Sequence, residues 1–394
     1  MHNSTHVTTQ STAREQMGHG TASRLESIRH EIDAVDSALL DLLNRRAALS
    51  LEVGGLKREA GSPVFRPERE GLLMELLQDK NDGPLPNGHL RAIYREILSS
   101  SRALQHPPKI AFLGPEGTFS HMAATEFLGN SMDFWAMPTF DDIFEAVENR
   151  DSELGVIPLE NSLHGTVVQS IDLFAAHSVH IQAEWFSRIS HSLMSREKHL
   201  SDIKTVYSHP QALGQCAAWL RANLPQAELV SVDSTAAAAH KVLAENNAAA
   251  IGHGALAHRL ALSVLARSIE DTGNNWTRFV CIGAEPAPSP AKLVTKGDGE
   301  GGAVKTSVLF TLADKPGALA AVLQCFARAG LNMHKLESRP MHTERWKYIF
   351  FCDVSCDLTD QAHTALLDEV REHCHSFRIL GAYAAGQYMQ GSAA

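Results

Sequence analysis

The sequence predicts a multidomain protein with three folds in series: an all-α helical domain, a two-lobed α/β domain and a small α+β domain. Apolar residues recur at helical spacing in the first segment. Short apolar runs alternate with helical stretches in the second, and a linker rich in Pro and Gly precedes a βαββαβ pattern in the third. We expect these boundaries: 1–20 (a disordered tail), 21–106 (helical), 107–283 (α/β), 284–303 (linker) and 304–386 (α+β).

Composition restricts the class of protein. A chain of 394 residues is too long for one ordinary core. The formal net charge of −10 argues against a nucleic-acid binder. No apolar run is long enough to span a membrane, and the polar N-terminus lacks the apolar core of a secretory signal. Six cysteines in so long a chain do not form a disulfide framework. We therefore expect a cytoplasmic protein without nucleic-acid or membrane partners.

The first helix carries an apolar stripe from Leu25 to Leu56 that Arg46 interrupts. Lys57 follows Arg46 by 11 residues, which is about 16 Å along one face of a helix. Two cations at this separation suit a small dianion. Arg29 precedes Arg46 by 17 residues, about 25 Å, and could serve the same molecule only from a second subunit. The helix is also too long to bury its stripe against the two helices that follow, so we expect a dimer.

A second helix is predicted near Pro67 and a third from Leu85 to Gln105, with Ser101 and Gln105 one turn apart. In residue type and spacing this segment resembles the all-helical chorismate mutases. The residues that carry the resemblance, and that it implies bind chorismate, are Arg29, Arg46, Lys57, Arg66, Arg69, Glu70, Ser101 and Gln105.

The resemblance implies that Arg46, and Arg29 of the partner subunit, bind the two carboxylates of chorismate. Lys57 and Gln105 donate hydrogen bonds to the ether oxygen, where negative charge grows as the C–O bond breaks. A pericyclic rearrangement needs no nucleophile or metal, only a held conformer and donors aimed at that charge.

The same resemblance assigns Glu70 and Ser101 to the hydroxyl end of chorismate or its neighbouring carboxylate, with Arg69 in support. Many relatives carry aspartate where this chain has Arg66, so hydroxyl recognition rests on Glu70 alone.

The α/β segment contains polar loops that each follow a candidate strand or lead into a helix. They are Gly114–Ser120, Glu160–Ser162, Ser208–Gln215, Ser234–Thr235 and Asn274–Phe279. In open α/β sheets, ligands bind where strands give way to such loops, and helix N-termini favour anions. Each loop alone has a simpler explanation, such as helix N-caps at Ser120 and Ser234 or a turn at Asn274. Together they predict a pocket for a small anion.

These loops resemble, in order, the motifs of prephenate dehydratases, which remove carboxylate and hydroxyl from prephenate to give phenylpyruvate, CO2 and water. The resemblance implies that Thr277 protonates the departing hydroxyl, a role that water exclusion must support because a hydroxyl is a weak acid. The remaining residues that it implies bind prephenate are Thr118, Ser120, Glu160, Asn161, Ser162, Ser208, Gln215, Arg278 and Phe279. His164 is interpreted as a loop histidine able to tune pH dependence.

In the last segment, Asp314–Ala320 and Glu337–Pro340 resemble the ACT domain of the same dehydratases, which binds phenylalanine. Gly317 alone would be explained as a permissive residue at a helix start. The allosteric residues implied are Gly317, Ala318, Leu319, Glu337, Ser338, Arg339 and Pro340. Ligands of such domains sit between subunits, a second reason to expect a homodimer or higher homo-oligomer.

No metal or organic cofactor is predicted. A group of thiols and imidazoles could be considered as zinc ligands, but its spacing matches no common zinc signature and we expect buried thiols. The group comprises Cys352, Cys356, His373, Cys374 and His375.

Taken together, residues 23–383 predict a bifunctional enzyme of phenylalanine biosynthesis that acts on chorismate and prephenate and is inhibited by L-phenylalanine. Two alternatives stay open. One is an active dehydratase whose helical domain only dimerises, for which Arg66 leaves room. The other is a non-catalytic ligand sensor, because two-lobed α/β folds and ACT modules both occur in sensors. The intact motifs around Thr277, Lys57 and Gln105 argue against the sensor.

Overall fold

The computed structural model describes residues 7–59, 65–287, 304–341 and 347–389, with the side chains of residues 7–22 and Glu68 excepted. The described chain forms two compact units. The first consists of the first helix with residues 104–106, and the second of residues 65–103 and everything described from Pro107 onward. This division cuts through the predicted helical domain.

The first unit is built on one long helix, α1, which spans Val7–Glu59. Its sequence contains no proline, so nothing removes a backbone donor along its length. Residues 7–20, where we expected a disordered tail, belong to this helix, because they too lack proline and include good helix formers such as Ala13 and Glu15. The absence of a side chain at Gly54 lets α1 approach Gln105, since a Cβ there would lie 3.0 Å from the Gln105 Cα.

Two further helices, as predicted, are Pro67–Asp79 (α2) and Asn87–Gln105 (α3). Proline at the start of α2 occupies a position where its missing N–H is not needed. Up to residue 103 these helices belong to the second unit because they pack on the α/β segment. The Phe65 and Phe127 rings meet edge to face at 6.4 Å, and Arg102 donates to the Leu128 carbonyl oxygen.

The α/β segment contains two sheets, which confirms the two-lobed prediction. The strands of the first sheet are Lys109–Leu113 (β1), Asp133–Met137 (β2), Leu154–Asn161 (β3), Gly165–Thr166 (β4), His180–Arg188 (β5), Trp276–Gly283 (β11) and Gln387–Met389 (β16). They lie in the order β16-β5-β11-β3-β1-β2, with β4 paired to β3. Strands β2 and β3 run parallel to β1, whereas β11 runs antiparallel to β3 and β5.

The strands of the second sheet are Ser192–Ser195 (β6), Thr205–Ser208 (β7), Glu228–Ser231 (β8), Ala248–Gly252 (β9) and Ser263–Ala266 (β10). They lie in the order β10-β6-β9-β7-β8. The helices of the two lobes are Phe119–Leu128 (α4), Phe140–Glu148 (α5), Val168–Ala176 (α6), Pro210–Gln215 (α7), Ala217–Asn223 (α8), Thr235–Val242 (α9) and Gly254–Arg259 (α10). A short 3-10 turn covers Leu200–Asp202.

The chain passes between the sheets twice, from β5 to β6 and from β10 back to β11. The predicted single strand 180–193 is therefore wrong: it is two strands in different sheets. Backbone hydrogen bonds join the two connections at the crossing. The Ile189 N–H donates to the Asn275 carbonyl at 2.8 Å, and the Ile269 N–H donates to the His191 backbone carbonyl at 3.0 Å. The predicted helix 211–222 likewise breaks at Cys216 into α7 and α8.

The last segment has the predicted βαββαβ order. Its elements are Val304–Leu312 (β12), Ala318–Arg328 (α11), Met333–Pro340 (β13), Tyr348–Val354 (β14), a 3-10 turn at Gln361–His363, Thr364–His373 (α12) and Cys374–Ala384 (β15). The four strands form an antiparallel sheet in the order β13-β14-β12-β15.

One face of this sheet packs under α11 and α12 and the other on the first sheet. The second contact is close, because a Cβ on Gly381 would lie 2.2 Å from the Ile181 carbonyl oxygen. Across the parts of the chain that the structure describes, no helix combines the length and apolar character needed to cross a membrane.

Candidate active site

An irregularity in the first sheet determines which side chains face each other at its end. Phe279 of β11 pairs with Pro158 of β3, but the next residue, Arg278, pairs with Glu160. Leu159 is therefore an extra residue in β3, as in a β-bulge. The shift places Asn161, instead of Glu160, opposite Thr277.

The Asn161 amide contacts Thr277 directly. Its Nδ2 lies 2.9 Å from the Thr277 Oγ1 and 2.8 Å from the Asn275 Oδ1. Its Oδ1 accepts from the backbone N–H groups of Leu163 and His164, both at 3.0 Å. Because the amide oxygen is occupied by two donors, the nitrogen must be the atom that faces Thr277. The Thr277 oxygen is therefore the acceptor in this contact, and its own proton is not consumed by Asn161.

Gln215, at the end of α7, connects two histidines beside this pair. Its Oε1 lies 2.7 Å from the His191 Nε2, and its Nε2 lies 2.9 Å from the His164 Nε2. Burial lowers the pKa of His191, so the ring is neutral at pH 7. A neutral His191 that donates from Nε2 fixes the amide oxygen of Gln215 toward itself and leaves the Gln215 NH2 pointing to His164.

The loop before α4 is held mainly by its own side chains. Thr118 caps α4 by accepting from the His121 N–H, and its hydroxyl donates to the Leu113 carbonyl at 2.9 Å. The cap is therefore Thr118 and not Ser120, which lies buried in the first turn. Burial lowers the pKa of His121 to about 4, and the neutral ring accepts from the Gly117 N–H at 3.1 Å.

Two other predicted residues lie in this region with backbone partners. The buried Ser208 hydroxyl donates to the Ile251 carbonyl at 2.8 Å. Ser162 donates to the Asn274 carbonyl at 3.1 Å and accepts from the Trp276 N–H at 2.9 Å, which joins the end of β3 to the start of β11. Both hydroxyls thus hold backbone segments that carry the site.

Three families match consecutive parts of the chain. Residues 28–106 match chorismate mutase type II, residues 110–287 match prephenate dehydratase, and residues 306–372 match the ACT domain. Over 363 residues the chain is 37% identical to a bifunctional chorismate mutase/prephenate dehydratase of Aquifex aeolicus, an alignment that covers 91% of this chain and 97% of that protein. The chain belongs to this family.

Solved structures resemble the dehydratase and ACT parts of this family member. A prephenate dehydratase from Arthrobacter aurescens, solved in complex with L-Phe, aligns with a TM-score of 0.62 at 32% identity and covers 70% of this chain and 90% of its own. A protein described as a novel type of quorum quenching acylase, GqqA, aligns with a TM-score of 0.62 at 28% identity and covers 70% of this chain and 98% of its own.

Arg278 and Glu160 do not face the side of the sheet on which Thr277 and Asn161 meet. Because strand side chains alternate, both point to the ACT side. Arg278 donates to Glu184 and to Asp353, and Glu160 is paired with Lys335 at 2.9 Å. That Arg278 and Glu160 bind prephenate stays a prediction, and in this structure both side chains have protein partners on the ACT side.

Phe279 is also part of the core and not of the site surface. It is 2% exposed and stacks on Trp185 at 5.9 Å. The aromatic residue of the Thr-Arg-Phe motif therefore anchors β11, and its contact with prephenate stays a prediction.

The predicted allosteric residues lie at two places in the ACT sheet and its first helix. Gly317 precedes α11 with a φ of 81°, a left-handed conformation that favours glycine, and Ala318 and Leu319 begin the helix. In β13, Glu337 and Arg339 face the dehydratase segment, where Glu337 accepts from Thr166 at 2.9 Å and Arg339 pairs with Asp172 at 3.4 Å. Ser338 and Pro340 alternate with them and are exposed.

Four of the predicted chorismate residues belong to the first unit. Arg29, Arg46 and Lys57 lie on α1 and Gln105 ends α3. Because α1 is unbroken, the predicted separation of Arg29 from Arg46 along one helix is confirmed. Arg29 is exposed, whereas Arg46 and Lys57 are half-buried.

The other four belong to the second unit. Glu70 accepts two hydrogen bonds from Arg102 at 2.5 Å and lines a cavity of about 580 Å³ against the dehydratase segment. Ser101 donates to the Ile97 carbonyl at 2.8 Å. Arg66 is half-buried before α2, and Arg69 is exposed.

Sequence reasoning missed several residues of the dehydratase site. His191 and His253 both meet the Phe119 ring edge to face, at 5.2 Å and 5.7 Å, and burial lowers the pKa of His253 to about 4. Asn275 orients Asn161. No local signal marks His191, because its partner Gln215 lies 24 residues away in the chain.

The thiols and imidazoles considered as zinc ligands are dispersed among the strands and α12. Burial raises the pKa of Cys352 to about 12 and of Cys374 to about 11, so these thiols are neutral. A different group, Cys325, Glu369 and His373, has ligand atoms within 4.8 Å of one another. Arg328 already donates to Cys325 and Glu369, so a guanidinium cation occupies the position that a metal would need.

Proposed function

We propose that this chain rearranges chorismate to prephenate and converts prephenate to phenylpyruvate, with phenylalanine as feedback inhibitor. The observation that carries the proposal is the contact between Asn161 and Thr277, which leaves a hydroxyl proton available at the end of the dehydratase sheet. The three family matches, in the order of the two reactions and their regulation, support the same conclusion.

In the dehydratase reaction, the carboxylate on the prephenate ring leaves as CO2 and its bonding electrons enter the ring. The ring C–O bond then breaks, and Thr277 gives its proton to the departing oxygen, which leaves as water. Solvent restores the proton to Thr277. The Asn161 N–H stabilises negative charge that develops on the Thr277 oxygen, which strengthens a hydroxyl that is otherwise a weak acid.

Asn161 and Gln215 also have the geometry of positioning groups. Each amide is held at one end by protein partners, so each presents its other end in a fixed direction. We assign Ser120, Ser162 and Ser208 to the walls of the prephenate site, with Thr118 in support through the cap of α4.

In the mutase reaction, Arg46, Lys57 and Gln105 of one subunit act with Arg29 of its partner. The length of α1 supports this, because Arg29 and Arg46 are about 25 Å apart along one helix. The apolar stripe supports a dimer, since six of its side chains are between 44% and 65% exposed in the single chain: Leu25, Ile28, Ile32, Val35, Leu39 and Leu42. Exposed apolar faces of this size mark interaction surfaces.

Phenylalanine is assigned to the ACT domain at Gly317–Leu319 and Glu337–Pro340. The prephenate dehydratase of Arthrobacter aurescens, solved with L-Phe, supports an amino acid as ligand of this architecture. Inhibition further requires that phenylalanine bind the active and inactive states differently. For a biosynthetic role of this kind we expect the protein in the cytoplasm.

The test is to give the purified full-length chain chorismate alone and to follow its loss and the formation of phenylpyruvate, with and without phenylalanine. We expect phenylpyruvate to appear after a lag and to be suppressed by phenylalanine. Untouched chorismate with turnover of added prephenate would leave only a dehydratase with a dimerising helical domain. Ligand binding without either turnover would favour a sensor.

A further inference from the structure

The reverse face of strands β3 and β11 carries a charged network that joins them to the ACT domain. The Arg278 guanidinium is only 4% exposed. Its Nε donates to Glu184 of β5 at 2.7 Å, and its Nη1 donates to Asp353 of β14 at 2.6 Å. Lys305 of β12 completes the group by pairing with Glu184 at 2.7 Å. Strand β11, which carries Thr277, is thus held by two buried carboxylates, Glu184 from its own sheet and Asp353 from the ACT sheet.

A second connection reaches β3. The Lys335 Nζ of β13 lies 2.9 Å from the Glu160 Oε1 and donates to the Thr166 hydroxyl at 2.7 Å. Thr166 in turn donates to Glu337 at 2.9 Å. Glu337 belongs to the segment assigned to phenylalanine. Three successive contacts, through Thr166 and Lys335, therefore connect that segment to Glu160, the residue immediately before Asn161.

Burial and charge together hold the Arg278 connection in place. Burial disfavours the charged form of Arg278, but the carboxylates of Asp353 and Glu184 outweigh this and raise its pKa. Removing one partner of a buried ion pair is strongly unfavourable, so the two groups stay together. A small displacement of one charged group therefore moves its partner and the strand to which that partner belongs. Arg278 and Glu160 are each covalently adjacent to a residue of the site, Thr277 and Asn161, and consecutive strand residues cannot rotate independently.

We propose that Arg278 and Glu160 are positioning residues of the dehydratase, through which the ACT domain sets the placement of Thr277 and Asn161. The inference rests on the proposed function and adds the route by which regulation reaches the site. The ammonium group of a bound amino acid competes with Thr166 for the Glu337 carboxylate. Loss of that contact shifts Lys335 and Glu160, and with them the distance between Asn161 and Thr277.

Two variants of the full-length chain test the two connections separately. Asp353→Asn removes the charged ACT partner of Arg278, and Lys335→Met removes the cation that pairs with Glu160. We expect Asp353→Asn to lower kcat for prephenate about tenfold or more with KM nearly unchanged, because misplaced reacting groups affect the chemical step. Lys335→Met should shift the half-inhibitory concentration of phenylalanine by about fivefold or more. Lys335→Arg, which keeps the positive charge, should keep the wild-type inhibition by phenylalanine.

The chorismate mutase rate of the same polypeptide is the internal control and should not change. Asp368→Asn is the matched control, since it breaks an exposed ion pair with Arg371 in the same domain. If Asp353→Asn fails to fold, Tyr383→Phe takes its place, because it removes only the hydroxyl that lies 3.2 Å from the Arg278 Nη2.

A purely structural role would lower the melting temperature without changing kcat or the phenylalanine response, and that result overturns the inference. The inference is also overturned if Asp353→Asn and Lys335→Met both show a kcat for prephenate and a half-inhibitory concentration of phenylalanine within twofold of wild type. The wild-type protein decides the proposed function independently: if it neither consumes prephenate nor responds to phenylalanine, the proposed function itself has failed and not merely the route.

Discussion

The Asn161 amide nitrogen donates a hydrogen bond to the Thr277 hydroxyl oxygen at 2.9 Å, and two backbone N–H groups hold the amide in that orientation. The direction of this hydrogen bond carries the mechanism. An acceptor at position 161 would take the threonine proton, whereas a donor leaves it available and stabilises the oxygen after transfer.

Replacing Thr277 by valine should abolish most dehydratase turnover. The change keeps the shape of the side chain and removes the proton, so kcat for prephenate should fall by about 10²- to 10⁴-fold. Steady-state assays on prephenate measure it, and the mutase rate should be unchanged. Thr277→Ser, which retains a hydroxyl, should keep substantial activity; equal losses in both variants would contradict the acid role.

Asn161→Asp should be damaging despite its small size. A carboxylate accepts the Thr277 proton and adds negative charge where hydroxide must leave, so kcat should fall roughly 10²-fold or more. Asn223→Asp provides a matched control, because Asn223 is exposed and bonded only to the Trp219 carbonyl among the contacts described. A variant at 161 that behaves like the one at 223 would show that the amide is not needed as a donor.

Glu126 should make stability depend on pH. Burial raises the pKa of this carboxyl from 4.5 to about 7, against the hydrogen bond from Ser187. A raised carboxyl pKa means that the folded state binds more protons than the unfolded state between these values, so the free energy of unfolding decreases as pH rises from about 4.5 to about 7.

Urea unfolding at pH 5 and pH 8 checks this prediction on wild type and Glu126→Gln. The glutamine variant should lose this part of the pH dependence and be the more stable protein at pH 8. Glu116→Gln is the control, since Glu116 is exposed and paired with Arg259. Parallel pH profiles for wild type and Glu126→Gln would rule out this assignment.

Mixing two inactive mutase variants should restore activity if the site is shared between subunits. Arg29→Ala and Arg46→Ala should each be inactive on chorismate. After refolding together, half of the dimers are mixed and one of their two sites has both arginines, so about a quarter of wild-type activity should return. Arg24→Ala and Arg45→Ala, at exposed positions of α1, should remain active alone. No recovery on mixing would place both arginines in one subunit's site.

Local sequence signals predicted most of the elements. Periodicity gave α1, and proline at its first position marked α2, because these signals are contained within a few turns of chain. The βαββαβ order of the last segment followed for the same reason. Strand 180–193 was misjudged because apolar residues lie on both sides of the crossing, whereas the change of sheet is decided by tertiary pairing.

The site itself was less accessible to such reasoning. Thr277, Asn161 and Gln215 were identified by motif, but the motif does not say which face each side chain takes. Arg278 was assigned to the substrate by the same family resemblance, yet strand alternation turns it toward Asp353, a partner 75 residues away in the chain. His191 escaped notice for a similar reason, since only tertiary structure brings it to Gln215.

The extra residue at Leu159 makes the length of β3 as important as its composition. Side chains in a strand alternate between the two faces of the sheet, and the bulge shifts this alternation by one residue just before the site. Deleting Leu159 would remove the bulge and leave Asn161 opposite Thr277, whereas inserting one residue between Leu159 and Glu160, with the bulge kept, would bring Glu160 opposite Thr277. The threonine would then face a charged acceptor in place of a neutral donor, although neither residue had been substituted. Insertions in this short span should therefore be tolerated far less than changes of residue type.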